Sequence, residues 1–153
     1  MRRLFLLIAL VLPMLAACGS DGPTAIEDTT FAPELGVDLA TMTRTSTGLY
    51  YKDLTVGTGA VVQSGQTVSA YYKGWFPSGR LFQQLQPPSA PLAPFILGTG
   101  GVIKGWDQGI PGMRVGGRRL LVIPPSLAYG SEGRGDIPPN AVLVFEVQIA
   151  NAQ

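Results

Sequence analysis

Thr67-Val68-Ser69-Ala70-Tyr71-Tyr72-Lys73-Gly74-Trp75-Phe76 is the stretch that decides the fold. Val68, Ala70 and Tyr72 fall on one face, and Ser69, Tyr71 and Lys73 on the other. That two-residue period is the mark of a strand with one face on a core. Pro77-Ser78-Gly79 then turns the chain. Outward from it, Leu49–Leu54, Phe95-Ile96-Leu97, Arg118–Ile123 and Val142–Ile149 are further strand candidates. Ile103, Trp106 and Ile110 recur at intervals of three and four, the spacing of one helix face. Pro111-Gly112 stops that helix. Many short strands and one short helix predict an α+β domain, an antiparallel sheet packed on the helix.

Composition narrows the chemistry. The chain has 153 residues, enough for one domain and a short extension. Its 11 Lys+Arg and 10 Asp+Glu form no basic stripe, so nucleic acid is not an expected partner. There is no His, which removes Ser-His-Asp and Cys-His catalysis and the His-dependent metal sites. Gly98-Thr99-Gly100-Gly101 with Lys104 lacks the Lys-Ser/Thr tail of a phosphate loop. Asp107, Glu132, Asp136 and Glu146 are too scattered for a calcium site and read as solvated surface. No metal and no cofactor are expected.

The N-terminus reads as a processing signal. Arg2 and Arg3 precede an uncharged apolar run from Leu4 to Leu12, the charged and apolar regions of a secretory signal. The run is shorter than the roughly 20 residues a spanning helix needs. Leu15-Ala16-Ala17-Cys18 resembles the bacterial lipobox, which implies cleavage before Cys18 and acylation of its thiol. Cys18 is the only Cys, so no intrachain disulfide is possible, and lipidation gives an otherwise odd thiol a use. Several acyl chains on one residue hold a membrane stably. By resemblance to lipoproteins of two-membrane bacteria, Gly19 rather than Asp after the Cys favours the outer membrane, facing the periplasm. Loss of Arg2 and Arg3 leaves nine basic against ten acidic residues, so attachment rests on the lipid alone.

The expected organisation is a signal at 1–17, a lipidated Cys and flexible tether at 18–47, and a globular domain at 48–153. The tether is rich in Gly, Ser, Thr, Asp, Glu and Pro, a composition that buries little. Phe31, Leu35, Val37, Leu39 and Met42 stand out in it, apolar enough either to dock on the domain or to remain loose.

From residue 48 onward a series of motifs lines up in order. They are Tyr71-Tyr72-Lys73-Gly74, Gly79-Arg80-Leu81-Phe82, Phe95-Ile96-Leu97-Gly98, Val102-Ile103-Lys104-Gly105-Trp106 and Gly109-Ile110. Met113-Arg114-Val115-Gly116, Ala128-Tyr129-Gly130, Ile137-Pro138-Pro139-Asn140-Ala141 and Leu143-Val144-Phe145-Glu146-Val147 follow. The ordered set resembles the FKBP domain over residues 48–150. The resemblance implies a curved antiparallel half-barrel wrapped around one short α-helix, with a substrate pocket between them. It implies peptidyl-prolyl cis-trans isomerase activity on proline-containing polypeptides, and possible binding of macrolides of the FK506 or rapamycin type. Carried over by position, Tyr72, Phe82, Ile103, Trp106, Tyr129 and Phe145 are the expected catalytic group, and Val102 and Ile137 complete the substrate pocket. Trp106 is its floor, and the Ile103 N–H and Tyr129 hydroxyl are the expected donors to substrate carbonyls. Without the resemblance, Trp106, Phe82 and Phe145 read simply as core.

Four places depart from the family pattern. Gln83 stands where a carboxylate usually lies beside the Tyr72 hydroxyl, and it is counted with the substrate-binding residues. Ala93 replaces an aromatic, Gln84 to Pro91 is long and Pro-rich, and Asp136 stands where an apolar residue is frequent. Gln accepts a hydrogen bond but carries no charge. Two functions therefore stand side by side: an isomerase for exported proteins, and a non-catalytic proline-binding module or chaperone that retains the pocket.

Overall fold

In the computed structural model, which describes residues 25–153, the alternating stretch is the long central strand of one antiparallel sheet. The elements are β1 (Thr43–Arg44), β2 (Tyr50–Thr55), β3 (Thr67–Trp75), β4 (Leu81–Leu85), β5 (Phe95–Ile96), α1 (Lys104–Gly109), β6 (Arg118–Ile123) and β7 (Leu143–Ala152). The strands run in the order β1-β2-β6-β7-β3-β4, with β5 beside β3. This is the expected α+β class, an open curved sheet with one short helix. Burial along β3 alternates as the sequence requires, with Val68, Ala70, Tyr72 and Gly74 inside. The β4 strand has no such period. It is an edge strand paired only with β3 and largely exposed, so nothing in Leu-Phe-Gln-Gln-Leu marks a face.

The helix lies against β6 with almost nothing between them. A methyl group added at Gly105 would stand 2.5 Å from Ile123 Cγ2, and one at Gly109 would stand 2.8 Å from Leu121 Cδ2. Such distances are well inside carbon–carbon contact. Arg119 locks this contact from the far end. Its guanidinium is buried, donates to both Asp53 carboxylate oxygens at 2.7 and 3.0 Å, and donates to the Gly109 carbonyl at 2.8 Å. It also stacks over Tyr51, 4.6 Å from the ring centroid. A buried guanidinium is tolerated because its nitrogens donate to a carboxylate and backbone carbonyls and Tyr51 covers one face.

The last five residues of β6 are all buried, so both of its faces are covered. Leu121 and Ile123 join the inner core with Trp106, Leu143 and Phe145. Leu120 and Val122 join a second, outer cluster with Ile26, Met42, Tyr50, Val142 and Val144. Phe31, Leu35, Val37 and Leu39 pack on that outer cluster. From Ala25 on, the linker-like stretch is thus laid across the outer face of the sheet in three single 3₁₀ turns, Ile26–Asp28, Pro33–Leu35 and Leu39–Thr41. Polar composition suggests a free chain, but apolar residues spaced through it meet a sheet face that would otherwise be wet. The signal at 1–17 and Cys18 lie outside the described residues.

Polar contacts fix the register of this segment. The Ala32 N–H donates to the Pro77 carbonyl at 2.8 Å. The Tyr50 hydroxyl donates to Glu27 Oε1 at 2.7 Å, and Arg44 Nε donates to the same oxygen at 3.0 Å. The Tyr50 bond is the main reason the Glu27 carboxyl sits below its ordinary value; its own backbone and Arg44 add to it. Donation to Glu27 in turn raises the Tyr50 hydroxyl. A depressed carboxyl contributes stability above its unfolded value and loses it as pH falls through the folded one. The Glu27 ties to Tyr50 and Arg44 should therefore weaken in acid.

Ile26 is only 2% exposed and anchors the segment. Ile26→Ala is expected to lower the unfolding free energy by about 2–4 kcal/mol, read from urea unfolding. A cost below about 0.5 kcal/mol, the range of ordinary surface substitutions, would mean that the segment is not held in solution.

Candidate active site

The close seating of α1 puts Trp106 between helix and sheet, where the strands supply its neighbours. Tyr72 comes from the inward positions of β3 and Phe145 from those of β7. Both meet the indole edge-on, at centroid distances of 5.2 Å (Tyr72) and 5.6 Å (Phe145). Phe95 adds a tilted contact at 6.1 Å. Edge-to-face pairs of this kind favour one fixed arrangement of rings.

These rings line a cavity of about 650 Å³ that opens to solvent. Its floor is Trp106. Its walls include Tyr72 and Phe145 from the sheet, Val102 and Ile103 from the turn before α1, and Tyr129 from the loop after the 3₁₀ turn Pro125–Leu127. Gln83 from β4 also reaches the lining. Seven of the nine pocket residues named from sequence therefore meet in one place. Phe82 and Ile137 do not line the cavity. Phe82 stands behind Phe145, edge-on at 5.6 Å, and against Phe76 at 5.0 Å. Ile137 is buried in the inner core, and its N–H donates to the Arg134 carbonyl at 3.0 Å, which closes the loop above it. Phe82 thus supports the wall from behind, whereas Ile137 belongs to the inner core.

Other lining residues escaped the sequence. Leu92, Ser126, Lys104 and Arg134 are on the wall, as is the backbone at Gly100 and Gly101. Ala93 is exposed and its neighbour Leu92 takes the wall, held by its N–H to the Ala70 carbonyl at 2.9 Å. No periodic signal marks these loop positions; only adjacency to the Ile103 and Tyr129 motifs could have pointed to them. Asp107, read as solvated surface, accepts from the Gly98 and Gly100 N–H groups at 2.7 and 3.0 Å and so braces the turn leading to Val102 and Ile103. Glu146 pairs with Arg118.

Electrostatically the site is dry below and polar at its rim. The Trp106 Nε1–H is buried with no partner among the described residues. A buried unpaired donor is costly. Burial, and secondarily the proximity of Tyr129, pushes the Tyr72 hydroxyl above its ordinary value, so it stays a neutral donor. No hydrogen bond joins it to Gln83. Ile103 is the extended N-cap of α1, with φ −61° and ψ 146°, so its N–H stands ahead of the helical ladder and is available.

Comparison with known proteins agrees with this geometry. Residues 59–150 match the model of the FKBP-type peptidyl-prolyl cis-trans isomerase family. An FK506-binding protein of Neisseria meningitidis serogroup B is 43% identical over 103 residues, 67% of this chain and 94% of that protein. One from Streptomyces anulatus is 50% identical over 100 residues, 63% of this chain and 80% of that protein. The crystal structure of AtFKBP13 superposes with a TM-score of 0.67 at 39% identity, covering 73% of this chain and 98% of that one. The chain belongs to the FKBP-type peptidyl-prolyl cis-trans isomerase family.

Gly74 tests the cavity wall. A methyl group there would stand 2.6 Å from Phe82 Cζ and 2.8 Å from Phe145 Cε1. Gly74→Ala must displace one ring, and is expected to cost about 1–3 kcal/mol of stability. Moving Phe145 also narrows the cavity, so affinity for a proline-mimicking ligand should fall at least about tenfold, some 1.4 kcal/mol, by titration. Lost stability with unchanged affinity would mean that Phe82, behind the wall, is the ring displaced.

Proposed function

We propose that this cavity binds the proline of an X–Pro segment over Trp106 and accelerates its rotation without covalent chemistry. The single observation that carries the reading is the apolar aromatic cavity whose floor, Trp106, is 4% exposed. The barrier to peptide rotation is about 18–20 kcal/mol, and it rests on charge separation across the planar amide. The twisted form has less charge separation, so a dry pocket favours it over the planar form. Binding the twisted imide more tightly than either planar isomer lowers the barrier directly. Tyr72, Trp106 and Phe145 exclude water. The Ile103 N–H and Tyr129 hydroxyl hold the flanking carbonyls, which keeps the ends fixed while the bond turns. Phe82 acts through Phe145, which it supports. Each tenfold gain in rate takes about 1.4 kcal/mol, so a few directed hydrogen bonds and desolvation are enough. Gln83 supplies polarity without charge, which sets a modest rate.

A protease-coupled assay on a short Leu–Pro peptide tests this. The parent should turn it over, and Trp106→Leu should lower kcat/KM at least about tenfold, some 1.4 kcal/mol in the transition state. A macrolide of the FK506 type should compete. Binding of proline peptides with no turnover would leave a non-catalytic proline-binding module.

The proposed setting is the exported face of a bacterial membrane, most simply the outer membrane facing the periplasm, with residues 1–17 removed and Cys18 lipidated. The lipobox-like Leu15-Ala16-Ala17-Cys18 supports it, as does the lone Cys. Domain limits follow: a short lipidated lead, the docked segment and the isomerase domain. Cys18→Ser is expected to move the protein from the detergent phase to the aqueous phase on fractionation. Retention in the detergent phase would rule out the anchor.

A further inference from the structure

Among the described residues, the only two charged side chains on the cavity lining are both cations, Lys104 at the start of α1 and Arg134 on the loop after Tyr129. Both are exposed. Neither joins an ion pair among the described residues, where the pairs are Arg44–Glu27, Arg118–Glu146 and Arg119–Asp53. The Arg134 guanidinium leans over Tyr129, with Cζ 5.9 Å from the ring centroid. Carboxylates near them in sequence are turned elsewhere. Asp107 is committed to the Gly98 and Gly100 N–H groups, and Glu132 accepts from the Ser131 hydroxyl at 3.2 Å. Asp136 is exposed on the Arg134 loop and is not part of the lining. The rest of the polar lining is neutral, including Gln83, Ser126 and the Tyr72 and Tyr129 hydroxyls.

A chain bound over Trp106 therefore meets positive charge at the mouth and no compensating negative charge on the wall. Lys104 directly follows Ile103, whose N–H faces the bound backbone in the proposed function. Lys104 also lines the same cavity. Arg134 is held beside Tyr129, the second proposed backbone donor.

We infer that Lys104 and Arg134 set substrate choice, favouring segments with a carboxylate side chain beside the proline and disfavouring lysine there. The inference rests on the isomerase reading of the same cavity. Attraction and repulsion both contribute, since discrimination is the difference between the two. The cations are solvated, so the preference is moderate and sensitive to salt.

The test is kcat/KM for a peptide series differing only in the residue before proline, Glu, Leu or Lys. At about 10 mM ionic strength, Glu–Pro should exceed Lys–Pro by about tenfold, shrinking below about twofold near 0.5 M salt, where the Debye length is a few ångströms. The double variant Lys104→Gln/Arg134→Gln should bring the low-salt ratio below about twofold, the loss expected when two solvated pairs are removed. Lys52→Gln, whose amine bonds Thr41 on the outer face, should keep the parent ratio. A parent ratio near one at low salt overturns the inference, as does a ratio that the double variant keeps. Absence of turnover on Leu–Pro would instead sink the isomerase reading. In that case a binding titration of the Glu and Lys peptides decides: tighter Glu binding supports the role of the two cations, and equal binding overturns it.

Discussion

The seating of α1 directly on β6 is the constraint on which the rest of the structure depends. Gly105 and Gly109, four residues apart, present no side chain to Ile123 and Leu121, so the helix settles one side-chain layer closer than it otherwise would. Trp106, between the two glycines in sequence, is carried inward with it. The indole then becomes the surface against which Tyr72 and Phe145 stand on edge. Arg119 holds the helix end through the Gly109 carbonyl, at the cost of a buried charge that Asp53 and Tyr51 neutralise and cover. Any bulk at either glycine would push the floor of the cavity upward.

A second consequence of the same arrangement is that β6 and β7 have two faces to cover. The inner face is covered by α1 and the aromatic cluster. The outer face, with Leu120, Val122, Val142 and Val144, is covered by the chain that precedes the domain. That chain contributes Ile26 and Met42 outright and several half-buried side chains besides. The covering segment is therefore part of the folded unit, and its polar ties to Pro77 and Tyr50 set where it crosses.

The cavity divides its chemistry by depth. Aromatic rings at the bottom remove water, which is what an amide losing charge separation needs. Polar groups at the rim are Gln83, Tyr129, Lys104 and Arg134. Rate and selectivity can then vary separately, because the rim residues are on loops, an edge strand and the first position of α1, while the floor is held by the core.

The two-residue period of Thr67–Phe76 and the three-four spacing of Ile103, Trp106 and Ile110 determined the strand, the helix and their inward faces, since burial on one side imposes its period on the residues. Most of the cavity was legible too, but through the ordered motifs rather than through periodicity; by period alone Trp106 and Phe145 are merely core. What only tertiary structure decided lies where no period operates. Phe82 stands behind the wall because the arrangement of the sheet, not sequence position, determines which side chains share a space, and Ile137 is drawn into the core by a loop closed on Arg134. Leu92 rather than Ala93 faces the cavity because a loop residue's direction depends on one backbone bond to Ala70. Ile26 and Met42 are core because the outer face of a sheet, assembled from strands distant in sequence, had to be kept from water.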